Sequence, residues 1–141
     1  NVGGNGDVAT FENTVKKMGL EKLVIFHGWV SGDKKKELLL NSDVFILPSY
    51  VEGLPMAILE AMTYGLVIVS TTVGAIPEVV SQDYGYLIAP GDQEALLDSL
   101  RSFSVEHEQL LELKQASARE GQKYSVDNVA RNLEIVYRDL L

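Results

Sequence analysis

Two glutamates offer the chemistry most open to use in this chain: Glu52 and Glu60, both within the run PSYVEGLPMAILEAM. A carboxylate pair can serve as acid and base across a glycosidic bond, at separations of about 5–9.5 Å. It can equally accept hydrogen bonds from paired hydroxyls, which ionised oxygens do strongly. What lies between the two decides which use is favoured. Glu52 precedes Gly53 and Pro55, and proline is at home in a first helical turn, where its missing N–H costs nothing. A helix starting there leaves the amides of Gly53, Leu54, Met56 and their neighbours unpaired, with roughly half a positive charge from the macrodipole. A diphosphate suits such a place. At about 1.5 Å per residue, Glu60 stands about 7–8 Å down the axis and Glu52 lies before the first turn, so the carboxylates flank one anion-binding point. A nucleoside diphosphate sugar carries hydroxyl-bearing rings on both sides of its pyrophosphate and matches that spacing.

Each glutamate also has a plainer reading. Glu60 can be a surface residue on an apolar helix, and Glu52 a loop charge that favours the helix N-terminus. A Glu among Pro, Met, Ala, Ile and Leu is poorly placed for bulk water, yet a buried one needs a partner, and this leans the pair towards function. Other candidates are weaker. His27 follows a strand and reads as structural before catalytic; His107 lies among glutamates and reads as solvated. Gly3, Gly4 and Gly6 lack the rest of a nucleotide fingerprint and read as a turn. Gly74, Ala75 and Ile76 open a loop where small residues permit close approach of a ligand, and Pro77 and Glu78 read as a helix start.

The elements that must position these residues alternate. Val8, Phe11, Val15 and Met18 fall at helical spacing over 8–18, with Gly19 as the stop. KLVIF at 22–26 reads as a strand, and a helix over 33–41 carries Leu38 to Leu40 inward. DVFIL at 43–47 reads as a buried parallel strand. A helix from Pro55 to Tyr64, a strand LVIVS at 66–70, a short helix at 77–81 and a strand YGYLIA at 84–89 follow. The remainder is helical: Asp92 caps a helix to Phe103, another spans 105–122, and Ser125 caps a last amphipathic one ending in VYRDLL. Strands separated by helices predict an α/β fold, a Rossmann-like parallel sheet with helices on both faces. Ligands of such sheets bind at the carboxyl ends of the strands, which selects the loops after Phe26, Leu47, Ser70 and Ala89.

Composition bounds the partners. The 141 residues, 46% apolar, suffice for a single domain over 1–141. A net charge of −8, from 20 acidic against 12 basic residues, argues against nucleic acid, which requires a clustered basic surface. KKK at 34–36 reads as a solvated helix face, with steering of an anionic ligand or lipid headgroup as the alternative. The absence of cysteine removes disulfides and thiolate chemistry. No apolar run reaches the ~18 residues of a membrane span. These features fit a cytoplasmic protein, and leave peripheral membrane contact of a larger protein open.

EGLPMAILE, with NSDVFILPS before it and VGAIPEVV after it, resembles the retaining GT-B glycosyltransferases of family 4. The likeness extends over nearly the whole chain. VGGNG at 2–6 resembles the turn after the second strand of that family's C-terminal domain, and FHGWVS at 26–31 its third-strand loop. GYLIAPGDQEAL at 85–96 and YSVDNVARNLEIVY at 124–137 resemble its next strand and closing helix. A glutamate pair alone is a weak signal; the ordered set is specific.

The resemblance implies roles by position. Glu60 would bond the ribose of a nucleotide sugar, Glu52 would contact the donor sugar as the catalytic residue, and the amides of Gly53, Leu54 and Met56, with Pro55 among them, would hold the distal phosphate. Gly28, Trp29 and Val30 would meet the base, Trp29 being core or lid, and Gly74 would border the donor. Transfer of a hexose with retention would need no metal or other cofactor. The chain has no Asp-x-Asp triplet; Asp92, Gln93 and Glu94 come nearest and read as a helix start. The family's phosphate-gripping Arg and Lys, and its acceptor-binding N-terminal domain, are absent from the sequence. A truncated GT-B half, inactive alone, is therefore expected. In the order 3-2-1-4-5-6 a missing first strand belongs between the parts led by KLVIF and DVFIL, which predicts a gap, a rearranged sheet or strand exchange into a homodimer. A glycoside hydrolase using Glu52 and Glu60, and a noncatalytic nucleotide-binding module, remain the alternatives.

Overall fold

The computed structural model describes residues 1–4, 6–105 and 107–140, with the side chains of residues 104, 105 and 107 outside the description. The expectation for the His107 side chain, and those for residues 5, 106 and 141, fall outside the described residues. The chain divides into two compact units, Asn1–Asn41 and Ser42–Leu141.

In the first unit β1 (Val2–Gly3) pairs in parallel with β2 (Phe26–Gly28). Helix α1 (Val8–Lys17) connects them and packs on β2, with Asp7 as its N-cap accepting the Thr10 amide. The Thr10 side chain, then its amide, hold the Asp7 carboxyl below its ordinary range. The strand expected at KLVIF is corrected. Leu23 and Val24 donate their amides to the Leu20 carbonyl, so residues 21–23 form a turn, and the strand begins only at Phe26. Helix α2 (Gly32–Leu40) buries Leu39, but Leu40 is 61% exposed, against the expectation that Leu38 to Leu40 all turn inward. Consecutive residues on a helix cannot share one face. Lys34 pairs with Glu37 on the solvated side.

The second unit is a three-stranded parallel sheet in the order β3 (Val44–Leu47), β4 (Val67–Thr71), β5 (Gly85–Ile88). Val44 pairs with Val67 and Leu47 with Ser70, while Ile68 pairs with Gly85 and Thr71 with Ile88. All three carboxyl ends therefore share one edge. Every residue of β4 is buried, because it has a strand on each side. β3 was expected to be buried and is not: among the described residues it has a strand on one side only, and Ile46 is 42% exposed.

Helices α3 (Met56–Thr63) and α6 (His107–Gly121) pack on each other and against β4. Ile58, Ala61 and Met62 of α3 are fully buried beside Leu66, Val67 and Ile68, and with Ile76 they form the centre of the unit. Removing one of the large side chains costs about 2–5 kcal/mol. Leu110 and Leu113 of α6 close over Val67, joined by Phe103, which meets Tyr86 edge to face at 5.3 Å. Ser117 is buried and donates its hydroxyl to the Leu66 carbonyl at 2.6 Å, ending the strand approach and fixing α6 in one step. The short α4 (Ile76–Val79) begins one residue before Pro77, with Ile76 and Val79 buried. Asp92 caps α5 (Gln93–Val105) by accepting the Ala95 amide, and Ser125 caps α7 (Val126–Asp139) by accepting that of Asn128. No residue of α7 is buried, so its apolar side is unpartnered among the described residues.

Candidate functional site

Three loops leave the shared carboxyl edge of the second unit: residues 48–55 after β3, 72–75 after β4 and 89–92 after β5. The first carries Glu52 and delivers the chain to α3. Pro55 is the N-cap of that helix, with φ −71° and ψ 113°, so the helix itself begins at Met56, one residue later than expected. Its ring presets the entry and it has no N–H to offer. No side chain caps this end, so the first-turn amides of Met56 and Ala57 are left for water or a ligand. Met56 and Leu54 are exposed, whereas Ile58 and Leu59, in the first turn of the helix, are buried. Glu60 sits in the second turn and is half-buried, and its carbonyl accepts the Thr63 hydroxyl at 2.7 Å.

The 48–55 loop is fastened from β4 and the turn after it. Ser70 Oγ donates to the Leu47 carbonyl at 2.7 Å and Thr71 Oγ1 to the Ser49 carbonyl at 2.6 Å. Further along, the Ala75 amide donates to the Gly53 carbonyl at 2.9 Å. Gly74, with φ +55°, makes this possible: a Cβ there would overlap the carbonyls of Glu52 and Gly53. The close approach expected of a ligand at Gly74 is made by the chain's own backbone. Ser49 Oγ completes the arrangement by donating to Glu52 Oε1 at 2.9 Å. On the other side the Tyr50 ring, 72% exposed, covers Gly91, where a Cβ would come within 3.2 Å of its hydroxyl.

Glu52, Gly53, Leu54, Pro55, Met56, Glu60 and Gly74 thus converge on one edge of one unit, around one helix start. Gly28, Trp29 and Val30 lie in the first unit, Gly28 ending β2 and the other two following it. Gly28 adopts φ +63°, its carbonyl accepts the Gly4 amide at 2.8 Å, and Trp29 is 74% exposed, which places it outside the core of that unit. His27 is engaged locally, Nε2 lying 2.9 Å from Asn1 Oδ1. Among the described residues no group of three or more His, Asp or Glu side chains is placed to hold a metal ion. An open depression of about 470 Å³ lined by Gln82, Asp83, Glu112 and Arg119 includes none of the site residues.

Ser49, Ser70 and Thr71 were not singled out from sequence. Polar residues at the end of an otherwise apolar strand, as Ser70 and Thr71 in VIVST, are a signal that could have found two of them. Fully buried hydroxyls need partners, and the carbonyls of Leu47 and Ser49 provide them.

A family model described as glycosyl transferases group 1 matches residues 2–123. The chain belongs to this family. A sulfoquinovosyl transferase of Arabidopsis thaliana is 34% identical over 117 residues, 77% of this chain and 23% of the relative. A lipopolysaccharide core biosynthesis mannosyltransferase of Rhizobium meliloti is 32% identical over 144 residues, 96% of this chain and 40% of the relative. The chain therefore spans well under half the length of these curated relatives. The solved structure of Anabaena HepE in complex with UDP-glucose superposes with a TM-score of 0.79 at 22% identity, covering 96% of this chain and 39% of that one. That likeness shows the fold: the group 1 chain has the α/β architecture of the GT-B glycosyltransferases.

Proposed function

We propose that this chain is the C-terminal, donor-binding domain of a retaining, family 4 glycosyltransferase that moves a hexose from a nucleoside diphosphate sugar in glycan or polysaccharide biosynthesis. The observation that carries this reading is the start of α3, uncapped by any side chain, with Glu52 held before it and Glu60 in its second turn. Membership of the group 1 family supports transfer over glycoside hydrolysis or mere capture. The mannosyl transfer named for one relative, and the UDP-glucose held by one structural neighbour, support a hexose nucleotide as donor.

In this reading the amides of Met56 and Ala57, with those of Gly53 and Leu54, hold the distal phosphate at the positive end of α3. Glu60 bonds the ribose and Glu52 a hydroxyl of the sugar. Gly74 shapes the floor beneath the sugar. As the bond between anomeric carbon and diphosphate oxygen breaks, the helix end stabilises the departing anion and Glu52 steadies the sugar as it gains positive character. No metal or other cofactor takes part. The acceptor is bound by the rest of the protein, so this chain alone performs no transfer.

Calorimetric titration of the complete enzyme with nucleoside diphosphates and with simple glycosides tests the reading. Binding of a nucleoside diphosphate that survives chelator treatment, with no glycoside hydrolysis, is expected. Glycoside cleavage without any nucleotide affinity would overturn it.

A further inference from the structure

We propose that Ser49 is a positioning residue for the transfer step, acting through the Glu52 carboxylate; this rests on the reading of Glu52 as the contact to the donor sugar. The Ser49 hydroxyl donates to Glu52 Oε1 at 2.9 Å, and both residues are half-buried. A carboxylate accepts up to about four hydrogen bonds. Occupying one oxygen from the protein side selects a single rotamer and leaves Oε2 for a sugar hydroxyl.

The backbone on each side of this contact is itself fixed. The Ser49 carbonyl accepts the Thr71 hydroxyl at 2.6 Å, and the Gly53 carbonyl accepts the Ala75 amide at 2.9 Å. Thr71 is fully buried, so the tie on Ser49 reaches into the centre of the unit. The ties to Ser49 and Gly53 bracket the Glu52 carboxylate. Between them the Glu52 side chain is held in turn by Ser49 Oγ. A long, flexible glutamate would otherwise lose its rotamer freedom at the moment of reaction; here that freedom is lost in the folded protein, before the donor arrives.

The test uses the complete enzyme and the nucleotide that binds from a panel of UDP, GDP and ADP, with its glucose or mannose adduct, reading release of the nucleoside diphosphate. Ser49→Ala is expected to lower kcat about tenfold. KM for the adduct and affinity for the bare nucleotide should stay within about twofold. Ser49→Thr, which keeps a hydroxyl, should recover most of the loss. In a Glu52→Ala background, Ser49→Ala should cost nothing further, since its target is gone. Should Ser49→Ala fail to fold, Ser49→Cys carries the same expectation, because a thiol is a weak donor of similar size. Unchanged turnover in Ser49→Ala, or losses that multiply in the double variant, would overturn the proposal while leaving the role of Glu52 intact. Full turnover in Glu52→Ala, or binding of no panel member, would remove the reading beneath it.

Discussion

Gly74→Ala should damage the site more than it damages the fold. Gly74 has φ +55°, and an added Cβ would overlap the carbonyl oxygens of Glu52 and Gly53. The left-handed backbone costs an alanine about 1–2 kcal/mol, and forcing a methyl into filled space adds about 1–3 kcal/mol. A total of about 2–5 kcal/mol is expected. The overlap lies on the backbone of the 48–55 loop, so the strain is expected to displace that loop and Glu52 with it. A displacement of about 1 Å at a reacting group can cost about a hundredfold in rate. Gly121→Ala serves as the comparison. Its φ is −56°, so the backbone is unstrained, but its Cβ would strike the backbone of Met62 and Thr63, where α6 meets α3 away from the loop. Both variants should melt earlier, by thermal denaturation of the complete enzyme. Assayed below the melting range, Gly74→Ala should lose about a hundredfold in turnover with a nucleotide sugar and Gly121→Ala much less. Equal turnover losses, or a Gly74→Ala enzyme of native activity, would refute the claim that this glycine sets the position of the Glu52 loop.

Two further outcomes concern stability. Ser117→Ala leaves the buried Leu66 carbonyl without its donor; this should cost about 1–3 kcal/mol in urea denaturation, and a loss below about 0.3 kcal/mol would contradict it. Asp7 is an acid whose folded pKa lies below its ordinary 3.8, through the side chain and amide of Thr10. Its contribution is fully present above that value and fades as pH falls through the lower folded value. Melting of Asp7→Ala and of the unaltered protein should therefore converge in acid, and a gap that stays constant down to about pH 2 would contradict this linkage.

The site region was readable in the sequence because local rules agree there. Proline before an apolar run marks the start of α3, and the Glu in that run is conspicuous among neighbours that form the core. Asp92 and Ser125 were readable as caps for the same reason, their chemistry lying within three residues. What sequence left out depends on partners far along the chain. KLVIF has strand-like residues, but pairing reaches only Phe26–Gly28, because the partner strand is Val2–Gly3. The apolar run of β3 suggests burial on both sides, whereas its exposure follows from having one strand neighbour among the described residues. The bond from Thr71 to Ser49 spans 22 residues, and no local pattern announces it. Gly74 was readable as a place of close approach, yet the group approaching it, the backbone of Glu52 and Gly53, follows from the three-dimensional arrangement of two loops.

In the proposed reading one helix start divides a nucleotide sugar between two glutamates, and titration of Glu52→Ala and Glu60→Ala in the complete enzyme tests that division. Hydrogen bonds to a charged acceptor contribute about 1.5–3 kcal/mol, or about ten- to a hundredfold in Kd. Glu60→Ala is predicted to lose that much affinity for the bare nucleoside diphosphate, while Glu52→Ala binds it nearly as the unaltered enzyme does and instead loses turnover with the sugar attached. Equal losses of bare-nucleotide affinity in the two variants would contradict the claim.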